Sequence, residues 1–77
     1  MQLNIKYFGL LAEITKCNEE PLNFSETSVS ELLDVLFYKY PELKTKDFQV
    51  AQNNEIVTEE TSVLGTEIAL LPPFSGG

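Results

Sequence analysis

Leu3, Ile5 and Tyr7 alternate with Gln2, Asn4 and Lys6 at the start of the chain. A period of two places apolar side chains on one face of an extended segment, the pattern of a half-buried β-strand. Gly9 ends that strand, Leu10 to Lys16 predicts a short turn of helix, and Cys17 to Glu20 reads as a polar turn. From Pro21 to Ser25, Leu22 and Phe24 fall on one face and predict a short second strand. The spacing then changes. Val29, Leu32, Leu33, Leu36, Phe37 and Tyr40 recur at helical intervals and form one apolar stripe. Ser28 and Glu31 stand three apart at its start, the arrangement of a capping box, and Pro41 closes the helix. Phe48 to Gln52 is predicted as a third strand. Asn53-Asn54 tolerates the left-handed conformations of a tight hairpin, and Glu55-Ile56-Val57 returns. Leu64-Gly65-Thr66 reads as another turn before Glu67 to Leu71, whose nearly continuous apolar run predicts a central strand covered on both faces.

The predicted order is two strands, one long helix, then two or three strands. One amphipathic helix and one sheet bury their apolar faces against each other, so the expected class is a two-layer α+β domain. The first and last strands are the most apolar and are placed side by side in the middle. A β-grasp, or ubiquitin-like, layout with a mixed sheet on one long helix fits that order; a split ferredoxin-like fold needs a second long helix.

Length and composition narrow the function. The 77 residues make one domain, residues 1–77, which buries only about 60% of its unfolded surface. No apolar run approaches the roughly 20 residues that cross a bilayer. The alternating N-terminus does not read as a signal peptide, so no membrane association and a cytoplasmic location are expected. Twelve acidic residues against five lysines, with no arginine and a net charge of −7, speak against nucleic-acid binding. They favour basic partners instead. The pairs Glu19-Glu20 and Glu59-Glu60 read as solvated turn charges. Cys17 is the single cysteine, and with no histidine in the chain it has no evident activating base and reads as a tolerated free thiol. The same shortage leaves no zinc or iron ligand set, and the carboxylates lack calcium-loop spacing. No cofactor is expected on the chain itself. Any chemistry has it as a reactant, or as half of a shared site.

The ending Leu70-Leu71-Pro72-Pro73-Phe74-Ser75-Gly76-Gly77 offers such a part. Two prolines cannot donate ladder hydrogen bonds and favour an extended course, so they end the sheet and aim the chain outward. Residues 72–77 are expected to form a flexible tail, of which the last four reach roughly 13 Å at about 3.3 Å each. Phe74 would lie outside the core, where a partner surface can take it up. Gly76 and Gly77 present no side chain, so the backbone can thread a narrow slot and offer its carboxylate to another protein's active site.

The motif LLPPFSGG after Gly65-Thr66-Glu67-Ile68-Ala69 resembles the C-terminus of the molybdopterin synthase sulfur carrier subunit, the MoaD family. Tyr7-Phe8-Gly9 with Glu13, the helix from Val29 to Tyr40, and Val50-Ala51-Gln52-Asn53 also resemble family counterparts, so the resemblance runs the whole length. It implies a β-grasp fold and a thiocarboxylate on Gly77, next to Gly76. It implies Phe8, Pro72, Pro73, Phe74 and Ser75 as partner-binding residues. An adenylating enzyme of the ubiquitin-activating type would use ATP and magnesium to activate Gly77, and a sulfur donor protein would then supply sulfur. The charged carrier would join the large catalytic subunit of molybdopterin synthase in a heterotetramer and donate sulfur to cyclic pyranopterin monophosphate. Ala12 stands where the family often has arginine, Phe74 where a smaller aliphatic is common, and Gln52 where an apolar residue is frequent. Sulfur carriers for thiamine synthesis or tRNA thiolation, and ubiquitin-like protein modifiers, are the alternatives. The carriers among them also end in two glycines but generally lack the double proline.

Overall fold

The sheet is organised around two strands from opposite ends of the sequence. The computed structural model describes residues 2–25, 28–64 and 67–73. In chain order the elements are β1 (Gln2–Tyr7), α1 (Leu10–Thr15), β2 (Glu19–Asn23), α2 (Val29–Lys39), a 3-10 helix (Pro41–Thr45), β3 (Gln49–Gln52), β4 (Glu55–Val57) and β5 (Glu67–Leu71). The five strands lie in the order β2-β1-β5-β3-β4. β1 runs parallel to β5, with Ile5 opposite Ile68 and Tyr7 opposite Leu70, whereas β1–β2, β3–β4 and β3–β5 are antiparallel. A parallel pair needs a crossover, and the chain between them supplies α2 for it. This is the β-grasp arrangement expected from the element order.

α2 forms where helical spacing and its cap coincide. The Glu31 amide donates to Ser28 Oγ at 3.2 Å, and the Ser28 amide donates to Glu31 Oε1 at 3.0 Å. The next free amides of the first turn are met from outside the helix: Val29 donates to the Thr61 carbonyl and Ser30 to that of Glu59, both at 2.9 Å. The helix ends at Lys39 with Tyr40 as its cap, and Pro41 opens the 3-10 helix at a position where its missing amide costs nothing. Val29, Leu32 and Leu36 are fully buried against Leu3, Ile5, Tyr7, Ile68 and Leu70. Asn53 and Asn54 both take positive φ, 52° and 70°, and close the β3–β4 hairpin.

Two expectations are corrected. β2 begins at Glu19, two residues before the predicted start, so Glu19 and Glu20 belong to a strand and not to a turn. Pairing with β1 sets this register: Glu20 lies opposite Ile5 and Leu22 opposite Leu3. Phe24 is buried beyond the strand's end. β5 is central as expected but is not covered on both faces. Ile68 and Leu70 are fully buried, while Glu67, Ala69 and Leu71 remain partly exposed on the side away from α2. The described residues place no element over that side. Gly65 and Thr66, from the turn predicted before β5, lie outside the described residues.

The new position of Glu20 gives it work. Its carboxylate accepts from Tyr7 Oη at 2.6 Å, from Tyr40 Oη at 2.7 Å and from Lys39 Nζ at 2.7 Å. Burial alone would raise this carboxyl, but the Lys39 ammonium and the two phenols outweigh it and hold Glu20 below its ordinary value. Burial, then the bond to Glu20, pushes both tyrosines up. One strand residue thus ties the end of α2 to β1.

Candidate functional site

The base of the tail is fixed by β5 and by the turn that follows β1. The Phe8 amide donates to the Leu70 carbonyl at 3.2 Å, carrying the β1–β5 pairing one step past the strand. Gly9 then takes φ 59°, ψ −135°, a region glycine alone enters readily, and caps α1. A Cβ built at Gly9 would lie 3.2 Å from Pro72 Cγ, so the bare backbone here leaves room for the proline that follows the sheet. Pro72 and Pro73 are exposed, and β5 stops at Leu71 just before them, as the missing amides require. Between α1, the end of the 3-10 helix and the two prolines lies a cavity of about 370 Å³, lined by Leu10, Leu11, Thr45, Lys46, Asp47, Pro72 and Pro73.

Beside this exit the uncovered side of the sheet forms a shallow hollow of about 260 Å³. Sheet register builds it row by row. Lys6 lies opposite Ala69, Ala69 opposite Ala51 and Ala51 opposite Ile56, so an apolar strip crosses β5 and β3. Phe8 is 44% exposed and Ile56 57%; with Ala69 and Leu71 they give the hollow its apolar surface. Large exposed apolar side chains set close together mark a surface that another molecule covers. Lys6 and Glu67 border the strip and pair at 2.9 Å, and the hydrogen bond and charge of Glu67 push the Lys6 ammonium up.

Of the residues singled out from sequence, Phe8, Pro72 and Pro73 come together at one end of the sheet. Phe74, Ser75, Gly76 and Gly77 lie outside the described residues. Sequence reasoning missed Leu71, Ala69 and Ile56 as surface, and Gly9 as the pivot under Pro72. Alternation was the available signal for the first two: positions 67, 69 and 71 must face away from buried 68 and 70. It also missed the part played by Gln52. This buried side chain donates to the Ser62 carbonyl at 3.1 Å and accepts from the Leu64 amide at 2.8 Å, clamping the segment that leads toward β5. Among the described residues no group of three or more histidine, cysteine, aspartate or glutamate side chains is placed to hold a metal. None of the described helices is long and apolar enough to cross a membrane.

Such a site has a strand end, an exit through two prolines and an adjacent apolar face. The ThiS family model matches residues 5–77, all but the first four positions. The chain belongs to the ThiS family. Solved structures agree on the fold. Small archaeal modifier protein 1 from Haloferax volcanii is 26% identical, with a TM-score of 0.81 and full coverage of both chains. The Methanosarcina acetivorans protein of the same name is 27% identical, with a TM-score of 0.75 over 99% of this chain and 96% of that one. A Pyrococcus furiosus protein described as molybdopterin converting factor subunit 1 has a TM-score of 0.87 over 96% and 99% of the two chains. At 19% identity it speaks for the fold alone. The chain is accordingly a ubiquitin-like β-grasp domain of the ThiS family.

Proposed function

We propose that this protein carries sulfur for molybdopterin synthesis, as a thiocarboxylate on Gly77. The observation that carries the reading is the run from β5, through Pro72-Pro73 over Gly9, into a sequence ending Phe-Ser-Gly-Gly. A carboxylate is a poor electrophile. In the proposed cycle a Gly77 oxygen attacks the α-phosphorus of ATP on an activating enzyme, pyrophosphate leaves, and an acyl-adenylate forms. A persulfide sulfur of a donor protein then attacks the carbonyl carbon and AMP departs; a thiol cleaves the S–S bond of the acyl persulfide, forming a disulfide on the donor and freeing the acyl sulfur. The resulting thiocarboxylate is a soft nucleophile on an arm without side chains. The large synthase subunit docks on the face of Phe8, Ala69 and Leu71, receives the tail, and directs its sulfur to cyclic pyranopterin monophosphate. Likeness in fold to a molybdopterin converting factor subunit supports a larger partner of this kind.

The test is the intact mass of the chain after incubation with its activating enzyme, ATP, magnesium and a sulfur source. Charging raises it by the difference between one sulfur and one oxygen. The chain lacking Gly77 stays uncharged with an unchanged melting temperature. Failure of the full chain to charge where a control carrier does removes every sulfur-carrier reading.

A second reading has its own support. The archaeal relatives at 26% and 27% identity are named as modifiers, so Gly77 joined to lysines of other proteins is the alternative product. The same incubation with cell protein separates the two. Isopeptide-linked conjugates favour the modifier, and free thiocarboxylate that yields molybdopterin with the large subunit favours the carrier.

A further inference from the structure

A larger groove runs between α2 and the β3–β4 hairpin and meets the hollow at Ile56 on the edge strand. It measures about 570 Å³. Its floor is apolar: Leu33 and Val50 are buried, and Phe37, Phe48 and Val57 are packed on the core with part of their surface open. The Phe37 and Phe48 rings meet edge to face at 6.1 Å and 63°, closing one end. The rim is acidic, with exposed Asp34 on α2, Asp47 before β3 and Glu59 after β4, against the single cation Lys46. Neither ion pair found among the described residues involves any of these carboxylates.

The groove also has a backbone edge. β4 ends the sheet on this side and β2 ends it on the other. The two edges differ chemically. β2 carries Pro21 in its middle, which removes a ladder donor and blocks an added strand. β4, Glu55-Ile56-Val57, has no proline, and among the described residues its outer row of amides and carbonyls faces no other strand. The fold blunts one edge and leaves the other available beside an apolar, negatively rimmed channel.

We propose that this groove binds an extended, basic peptide segment of a partner protein, which adds a sixth strand along β4. Main-chain bonds to β4 supply the pairing, and alternate apolar side chains enter the groove toward Val57, Phe37 and Leu33. Lysine or arginine side chains at its margins meet Asp34, Asp47 and Glu59. The net charge of −7 brings such a segment in from a distance. The groove shares Ile56 with the hollow but none of Phe8, Ala69, Leu71 and the two prolines, so a partner held there leaves those residues uncovered. The proposal does not depend on what Gly77 carries.

Nuclear magnetic resonance on the full-length, ¹⁵N-labelled chain tests it. The probe is an acetylated, amidated nonapeptide of alternating lysine and valine. Two controls accompany it: the same peptide with alternate amides N-methylated, and a glutamate-for-lysine version. The expected result is saturable shifts at Val57, Thr58 and the α2 residues Ser30, Leu33, Asp34 and Phe37, which line the groove and not the hollow. Binding weakens as salt is raised from 0.1 to 1 M, where the screening length falls from about 10 Å to about 3 Å. Methylation or charge reversal of the peptide weakens binding at least about tenfold, about 1.4 kcal/mol. Asp34→Lys with Glu59→Lys, both at exposed positions, does the same while Gly77 charging is unchanged. Shifts centred on Phe8 and Leu71 or on β2, equal binding of the methylated peptide, or no shift at all overturns the proposal.

Discussion

The two faces of β5 share five consecutive residues and do opposite work. Ile68 and Leu70 are fully buried against α2 and fasten the centre of the sheet, while Ala69 and Leu71 stay open beside Phe8. Apolar character therefore serves twice along Glu67-Ile-Ala-Leu-Leu71, once in the core and once on the open face of the sheet. The difference lies only in register, since neighbouring side chains of a strand point to opposite faces. A protein this small gains from that economy, because a separate binding element would need a core of its own.

The largest effect that probes this contrast comes from truncating one leucine on each face. Leu70→Ala is expected to cost about 2–5 kcal/mol, the range for a buried leucine, and to lower the melting temperature by about 4–8 °C per kcal/mol for a domain of this size. Leu71→Ala, partly exposed, is expected to cost less than half as much in the same denaturation experiment. Equal losses would break the comparison.

A smaller effect is expected where the helix-side layer depends on a charge. Glu20→Gln removes the charged acceptor of Tyr7, Tyr40 and Lys39, worth about 1.5–3 kcal/mol for bonds to an ionised group. Glu20 is held below its ordinary value of 4.5 in the fold. Its contribution is thus present in full above that value and is lost as pH falls through the lower folded value. The tyrosines act in the other direction. Their folded values lie above the ordinary 10.0, so stability contributed by the neutral phenols is lost as pH rises beyond it. Urea unfolding between pH 5 and pH 2 should show a steeper acid limb in the native chain than in Glu20→Gln. Parallel limbs would show that the carboxylate's partners contribute nothing.

The smallest effect on stability, and the one that sharpens the functional side, belongs to Phe8→Ala. The ring is 44% exposed, so its loss should change unfolding free energy by no more than about 1 kcal/mol, against the 3–5 kcal/mol of a buried phenylalanine. Affinity for the large synthase subunit should fall by at least about 1 kcal/mol, as for an aromatic anchor. Calorimetric titration of the two chains checks this. Unchanged affinity would remove Phe8 from the docking face.

Much of this architecture is legible without coordinates. Alternation reveals β1, helical spacing with Ser28 and Glu31 reveals α2, and Asn53-Asn54 reveals the hairpin, because each signal is local. The β2 register is not local. Glu19-Glu20 has the composition of a turn, and only pairing with β1 brings Glu20 under the two tyrosines. The open side of β5 escapes for a similar reason: alanine and leucine read as apolar whether covered or bare, and coverage depends on where α2 lies. For the site, Pro72-Pro73 and Phe8 are legible as an exit and an aromatic near it. The space Gly9 leaves for Pro72 is not, since it depends on two residues brought together by the parallel pairing.

That parallel pairing has a further consequence, for synthesis. β5 fills the slot between β1 and β3, so a nascent chain that stops short of Leu71 lacks the middle of its sheet. Its contacts are also the most distant in sequence, which puts them among the costliest to close. The sheet is therefore completed only by the residues at the foot of the tail, so the fold and the start of the arm depend on the same five-residue segment.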